Sequence, residues 1–70
     1  MMLDRIRENI IQVMREKDMD EIDLMTATGT SPATMQKWLS GTRIPTAYGL
    51  YRIAKALHVS MDSLMYGVEE

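Results

Sequence analysis

Residues 31–45 read SPATMQKWLSGTRIP and contain the start and stop signals of one helix. Ser31 is a residue type that caps helix N-termini, and Pro32 suits the first helical position, where no backbone N–H is needed. Gly41 suits the residue that follows a helix, and Pro45 forbids the helix to continue past it. The stretch therefore predicts a helix over about residues 32–39, followed by a loop.

A second helix is predicted immediately before this one. Asp20 is a good N-cap, and Glu21 and Asp23 place negative charge in the first turn, where the helix dipole favours it. Gly29 ends this helix, and a turn of about three residues leads into the next. The two helices form a helix-turn-helix over about residues 21–40. The inner face of the first of them is expected to contain Leu24, Met25 and Thr28.

Three further helices are predicted on either side of the helix-turn-helix. An amphipathic pattern runs from about residue 3 to 17, Thr46 caps a fourth helix, and Ser60 caps a fifth that ends before Gly67. No stretch alternates with period two for long enough to form a strand, so we expect an all-α, compact five-helix domain spanning residues 1–70. The side chains expected to face the core are Leu3, Ile6, Ile10, Val13 and Met14 of the first helix, Leu50, Ile53, Ala54 and Leu57 of the fourth, and Met61, Leu64 and Met65 of the fifth.

Length and composition exclude several function classes. A chain of 70 residues buries a small core and offers little room for a concave pocket, so we expect neither an enzyme nor a small-molecule ligand. The absence of cysteine indicates a reducing, cytoplasmic location, and a single histidine, His58, leaves zinc without its usual ligands. We expect no metal, no cofactor and no membrane association, because charges interrupt the N-terminal apolar residues.

The charge distribution says more than the net charge of −2. Between Leu24 and Met61 there is no aspartate or glutamate, whereas the same segment contains four cationic residues. Acidic residues flank this segment on both sides. A basic segment of this kind suits contact with a polyanion such as DNA. The four cationic residues are Lys37, Arg43, Arg52 and Lys55.

The surface of the third predicted helix indicates how that contact is made. Met35, Trp38 and Leu39 cluster on one side and are expected to face the core. The opposite side is small, polar and cationic, and it presents Ala33, Lys37 and Ser40 with Thr34 and Gln36 at its edges. Short side chains can touch thymine methyl groups, glutamine can pair with adenine, and lysine can donate to guanine or to phosphate.

The same stretch resembles the Cro/CI-type (lambda-repressor-like, Xre) helix-turn-helix family. Ser31, Met35, Trp38, Gly41 and Pro45 match the family pattern, and residues 53–65, IAKALHVSMDSLM, are similar to its fourth and fifth helices. The resemblance implies a five-helix DNA-binding domain, often dimeric, found in phage, plasmid and bacterial repressors. Carried over by position, the DNA-contacting residues are Ser31, Pro32, Ala33, Thr34, Lys37, Ser40, Thr42 and Arg43.

Four positions depart from the family pattern. Glu21 stands where the family often has a glutamine that meets phosphate, and a carboxylate there repels DNA unless it turns away. Ile22 is apolar where a charged residue is common, and Met25 replaces the usual alanine. His58 replaces a helix-ending glycine, and we expect it to act as a local cap rather than as a pH switch.

Two functions remain open at this point. The first is a sequence-specific transcriptional regulator, expected to be a repressor, that binds double-stranded DNA as a homodimer on an inverted repeat. Its expected dimer surface contains Met61, Met65, Tyr66 and Val68. The alternative is a protein-interaction module of the same fold, like an antitoxin or antirepressor, with weak or no DNA binding.

Overall fold

The computed structural model describes the backbone of residues 2–68 and the side chains of residues 5–68. Within these residues the chain is all-α and contains no strand, which confirms the predicted fold class. The helices lie within about one residue of their predicted bounds. They are α1 (Met2–Glu16), α2 (Glu21–Thr28), α3 (Pro32–Ser40), α4 (Ala47–Leu57) and α5 (Met61–Met65).

The helix ends follow the local chemistry of the sequence. Each of the four predicted N-caps, Asp20, Ser31, Thr46 and Ser60, accepts a hydrogen bond from the backbone N–H three residues later. His58 has φ 58° and ψ 42°, and its N–H donates to the last turn of α4, so the expected capping role is confirmed. Local hydrogen bonds thus fix where the helices begin and end.

The core is formed by apolar side chains from all five helices, with Trp38 of α3 packed against α4. A Cβ added to Gly49 would lie only 3.2 Å from Cζ2 of Trp38, so the absence of a side chain at Gly49 lets the indole approach the α4 backbone. This contact fixes α3 relative to α4. The buried apolar residues are Ile6, Ile10, Val13, Met14, Leu24, Met35, Trp38, Leu50, Ile53, Ala54, Leu57 and Leu64.

A side chain of α1 holds the C-terminal end of α5. Nδ2 of Asn9 donates hydrogen bonds to the carbonyl oxygens of Leu64, at 2.9 Å, and Tyr66, at 2.8 Å. These carbonyls lie at a helix end, where the backbone has no partner of its own. Asn9 therefore joins the first helix to the last.

The predicted inner face of α5 is partly wrong. Leu64 is fully buried and Met61 packs against the core, but Met65 is 38% exposed. With five residues, α5 has less than two turns, so its sequence cannot distinguish one face from the next. The predicted core position of Leu3 lies outside the described side chains.

Candidate nucleic-acid interface

The predicted helix-turn-helix is present, with residues 29–31 between α2 and α3. Gly29 adopts the left-handed conformation, φ 71°, and its N–H donates to the carbonyl oxygen of Met25. Ser31 then caps α3 with its hydroxyl, and Pro32 occupies the first turn. The turn is short because Gly29 ends α2 and Ser31, two residues later, caps the start of α3.

The orientation of α3 agrees with the sequence pattern. Met35 and Trp38 are buried and Leu39 packs beside them. The opposite side, which we call the α3 outward face, consists of Ala33, Gln36, Lys37 and Ser40, and all four residues are exposed. This face has no acidic residue, and the side chain of Lys37 has no hydrogen bond or salt bridge to any described residue.

The start of α3 presents its remaining candidate residues differently. Ser31 and Pro32 are exposed, whereas Thr34 is half-buried. The hydroxyl of Ser31 accepts from the Thr34 N–H at 3.3 Å and donates to Oγ1 of Thr34 at 3.1 Å. The two hydroxyl groups are therefore occupied in holding the helix start, at the border of the outward face.

The loop after α3 is held by the end of the helix itself. The N–H groups of Thr42 and Arg43 both donate to the carbonyl oxygen of Lys37, at 3.0 and 3.1 Å. The hydroxyl groups of Ser40 and Thr42 lie 2.9 Å apart and share a hydrogen bond. The loop backbone is thus fixed against α3, while the exposed Arg43 guanidinium has no partner among the described residues.

A contact from α1 to this loop is not predicted by the sequence pattern. Nη1 of Arg7 donates to the Ser40 carbonyl oxygen at 3.2 Å, and a Cβ on Gly41 would lie 3.3 Å from the same nitrogen. A cation is favourable at a helix C-terminus, where carbonyl groups lack partners. Since Arg7 and Ser40 are 33 residues apart, no local signal in the sequence could have paired them.

Glu21 lies at the edge of the α3 outward face. A shallow groove runs between the start of α2 and α3, and Glu21 borders it. The capping of α2 is performed by its neighbours: Asp20 and Asp23 form a reciprocal capping box. The residues that line the groove are Glu21, Ala33, Gln36, Lys37, Leu39 and Ser40.

A comparison with protein-family models gives a match to the Cro/C1-type HTH DNA-binding domain over residues 9–70. The chain belongs to this family. HTH denotes the helix-turn-helix, and the match covers all of α2 to α5 as well as most of α1. No curated protein and no solved structure matches the chain.

In this Cro/C1-type domain, the four cations of the segment between Leu24 and Met61 fall into two groups. The Arg52 guanidinium lies 5.6 Å from the centre of the Tyr48 ring, and the Lys55 ammonium lies 5.8 Å from that of Tyr51. Lys37 and Arg43 have no such partner in the described part of the chain. The cations next to the outward face are therefore the ones that remain available to phosphate or to base edges.

None of the described helices is both long and apolar enough to span a bilayer. Among the described residues, no three histidine or carboxylate side chains come together as a metal site would require.

Proposed function

We propose that this domain is a sequence-specific transcriptional repressor that inserts α3 into the DNA major groove. The observation that carries the proposal is the α3 outward face, which is exposed, small and free of acidic residues. In a helix-turn-helix protein the second helix is the one that enters the major groove. Here that helix is α3, and the groove floor would meet the face that begins at Ala33 and ends at Ser40.

Base readout is assigned to the middle of the outward face. Lys37 donates to O6 and N7 of guanine, and Gln36 pairs with N6 and N7 of adenine. Ala33 is short enough to let the backbone of α3 approach, and its methyl group can contact a thymine methyl. These three residues would supply the sequence preference.

Phosphate binding is assigned to the two ends of the helix. At the start, the backbone N–H of Ala33 is not used by the Ser31 cap and lies at the positive end of the helix dipole, which favours an anion, and Thr34 completes the cap there. At the end, Thr42 and Arg43 lie on the loop that hydrogen bonds hold against α3. Phosphate contacts at both ends would set the depth and the angle of α3 in the groove.

A homodimer on an inverted repeat follows from the size of the reading surface. One recognition helix covers only a few base pairs, and two of them about 34 Å apart read two half-sites on one side of the duplex. Of the expected dimer surface, Met61 and Val68 are half-buried, so its accessible part is Met65, 38% exposed, and Tyr66, 76% exposed. A dimer that occupies such a site in the cytoplasm would repress by excluding other proteins from it.

The test is selection of duplexes from a random library by the whole 70-residue chain, followed by titration at several salt concentrations. We expect an inverted repeat to be enriched, and affinity for it to fall as salt rises. Two protein molecules should bind per selected duplex. Protection of a single half-site by one molecule would contradict the dimer and leave the major-groove contact standing.

The protein-interaction alternative has one observation in its favour. Ile22, next to Glu21 at the start of α2, is 65% exposed although it is apolar. If no sequence in the library binds with a salt-dependent affinity, the DNA proposal fails. A partner protein that covers Ile22 would then account for this surface.

A further inference from the structure

Glu21 lies in the first turn of α2, where its charge suits the helix dipole, and it stands beside the α3 outward face. It is exposed, and within the described residues its carboxylate accepts no hydrogen bond and forms no salt bridge. The α2 cap is formed by its neighbours, with the Asp23 N–H donating to Oδ1 of Asp20 at 2.8 Å. The carboxylate of Glu21 is therefore free to meet a ligand.

The groove shared by α2 and α3 brings Glu21 together with the residues assigned to base readout. Glu21 borders the same groove as Ala33, Gln36 and Lys37. Glu21 therefore lines the same surface as the residues assigned to base readout, at the α2 edge of that surface. Because Ala33 is short, the side chain of Glu21 has room beside the start of α3.

A carboxylate at this place meets two kinds of group in the major groove. Phosphates repel it, whatever the sequence, while the N4 amino group of cytosine donates a hydrogen bond that a carboxylate accepts. Guanine, in contrast, presents acceptors at N7 and O6, and thymine presents one at O4. Adenine has an amino group at N6, but the acceptor at N7 beside it repels a carboxylate. Cytosine is thus the base to which an acceptor-only side chain is best matched.

We propose that Glu21 is a specificity-determining residue that accepts a hydrogen bond from N4 of a cytosine in each half-site. The proposal rests on the major-groove function described above. Repulsion between the carboxylate and the phosphates lowers the affinity for every duplex. The cytosine contact offsets that loss only at the correct site. Glu21 then raises the ratio of specific to non-specific binding.

The test compares three proteins in the same library selection: wild type, Glu21→Ala and Glu21→Gln. Wild type should select a cytosine at one position of each half-site. Glu21→Ala removes the acceptor and should lose that preference, with affinity for the selected duplex falling about tenfold relative to scrambled DNA. Glu21→Gln keeps an acceptor and gains a donor, so it should accept adenine or cytosine at the same position.

Chemical substitution of the DNA gives a second readout that does not depend on selection. Replacing the selected cytosine by N4-methylcytosine blocks the amino group on its major-groove side and should weaken wild type but leave Glu21→Ala unchanged. Glu16→Ala, the same substitution at an exposed residue of α1 outside the groove, should behave as wild type in both experiments.

Two results would overturn the inference, and they differ from each other. If both Glu21 variants bind every duplex more tightly than wild type and select the same bases, Glu21 only repels phosphate. If wild type itself selects no sequence, the major-groove function fails, and the cytosine contact fails with it.

Discussion

The outward faces of α3 and α4 lie in the same acid-free segment, yet they differ in what their cations do. On α3, Lys37 is surrounded by small polar side chains and has no partner among the described residues. On α4, Tyr48 and Tyr51 stack with ring centres 6.4 Å apart, and Arg52 and Lys55 lie over the rings. We call this second surface the α4 aromatic face.

Positive charge alone therefore does not make a surface for base readout. A helix can come close to base edges in a major groove about 12 Å wide when no bulky rings stand on its approaching face. The α3 outward face meets this condition, whereas two tyrosines that are 68% and 47% exposed keep the α4 backbone away from any flat partner. The following predictions test whether the two faces differ as the geometry indicates.

The largest effect is expected from the residue on which both faces depend. Trp38 packs between α3 and Gly49 of α4, so Trp38→Ala should lower the free energy of unfolding by about 3–5 kcal/mol. Whole domains have about 5–15 kcal/mol, so the variant should be partly unfolded when thermal unfolding is followed by circular dichroism. The matched aromatic truncation on the exposed side, Tyr48→Ala, loses a ring stack with Tyr51 and the contact with Arg52, and should cost only about 1–2 kcal/mol. A wild-type melting temperature for Trp38→Ala would show that the indole does not support the core.

The second effect concerns base readout by the α3 outward face. Lys37→Ala should cost about 1–3 kcal/mol of binding free energy on the selected duplex and relax the preference at one base position. Titration of selected and single-base-changed duplexes measures both quantities. Lys17→Ala removes the same charge from an exposed position before α2 and should leave the preference intact. An equal loss on all duplexes would mean that Lys37 binds phosphate and that another residue reads the base.

A smaller and uniform effect is expected from the loop after α3. Arg43→Ala should weaken binding to selected and scrambled duplexes alike, because phosphate contacts carry no sequence information. The slope of log K against log salt concentration should become shallower by about one unit. If the base preference changed and the slope did not, Arg43 would belong to the reading surface.

The smallest effect on DNA binding is expected on the α4 aromatic face. Lys55→Ala removes the same side chain as Lys37→Ala, but we expect the affinity for the selected duplex to change by less than about 0.5 kcal/mol. Loss of its contact with Tyr51 should lower stability by about 0.5–1 kcal/mol, measurable by urea unfolding. If the slope of log K against log salt concentration became as shallow as in Arg43→Ala, the α4 aromatic face would contact DNA as well.

The helices and their ends were predictable because their signals are local. Asp20, Ser31, Thr46 and Ser60 each bond within three residues, and His58 ends α4 where its left-handed conformation is needed. The exposed side of α3 was predictable for the same reason, since nine residues give enough turns to define two sides. The exposure of Met65 could not be predicted, because the five residues of α5 give too few turns to define two faces.

Contacts between residues far apart in the chain could not be predicted from local sequence patterns. Nothing near Arg7 or Asn9 indicates that one binds the end of α3 and the other the end of α5. The α4 aromatic face is an intermediate case: Tyr48 and Arg52, like Tyr51 and Lys55, are four residues apart, a spacing that places side chains together on a helix. That spacing is a local signal and can be read from the sequence.

The hydrogen bond from Asn9 to Tyr66 has a consequence for how the chain folds during synthesis. The two residues are 57 positions apart, so this contact closes a loop that contains α2, α3 and α4. Neighbouring helices can pair as soon as both have been made, whereas a non-local contact has to wait for its second partner. On a ribosome, the helix-turn-helix therefore leaves the exit tunnel before α1 can be sealed against α5. We expect the nascent domain to remain open, with part of its core exposed to chaperones and proteases, until Tyr66 has emerged.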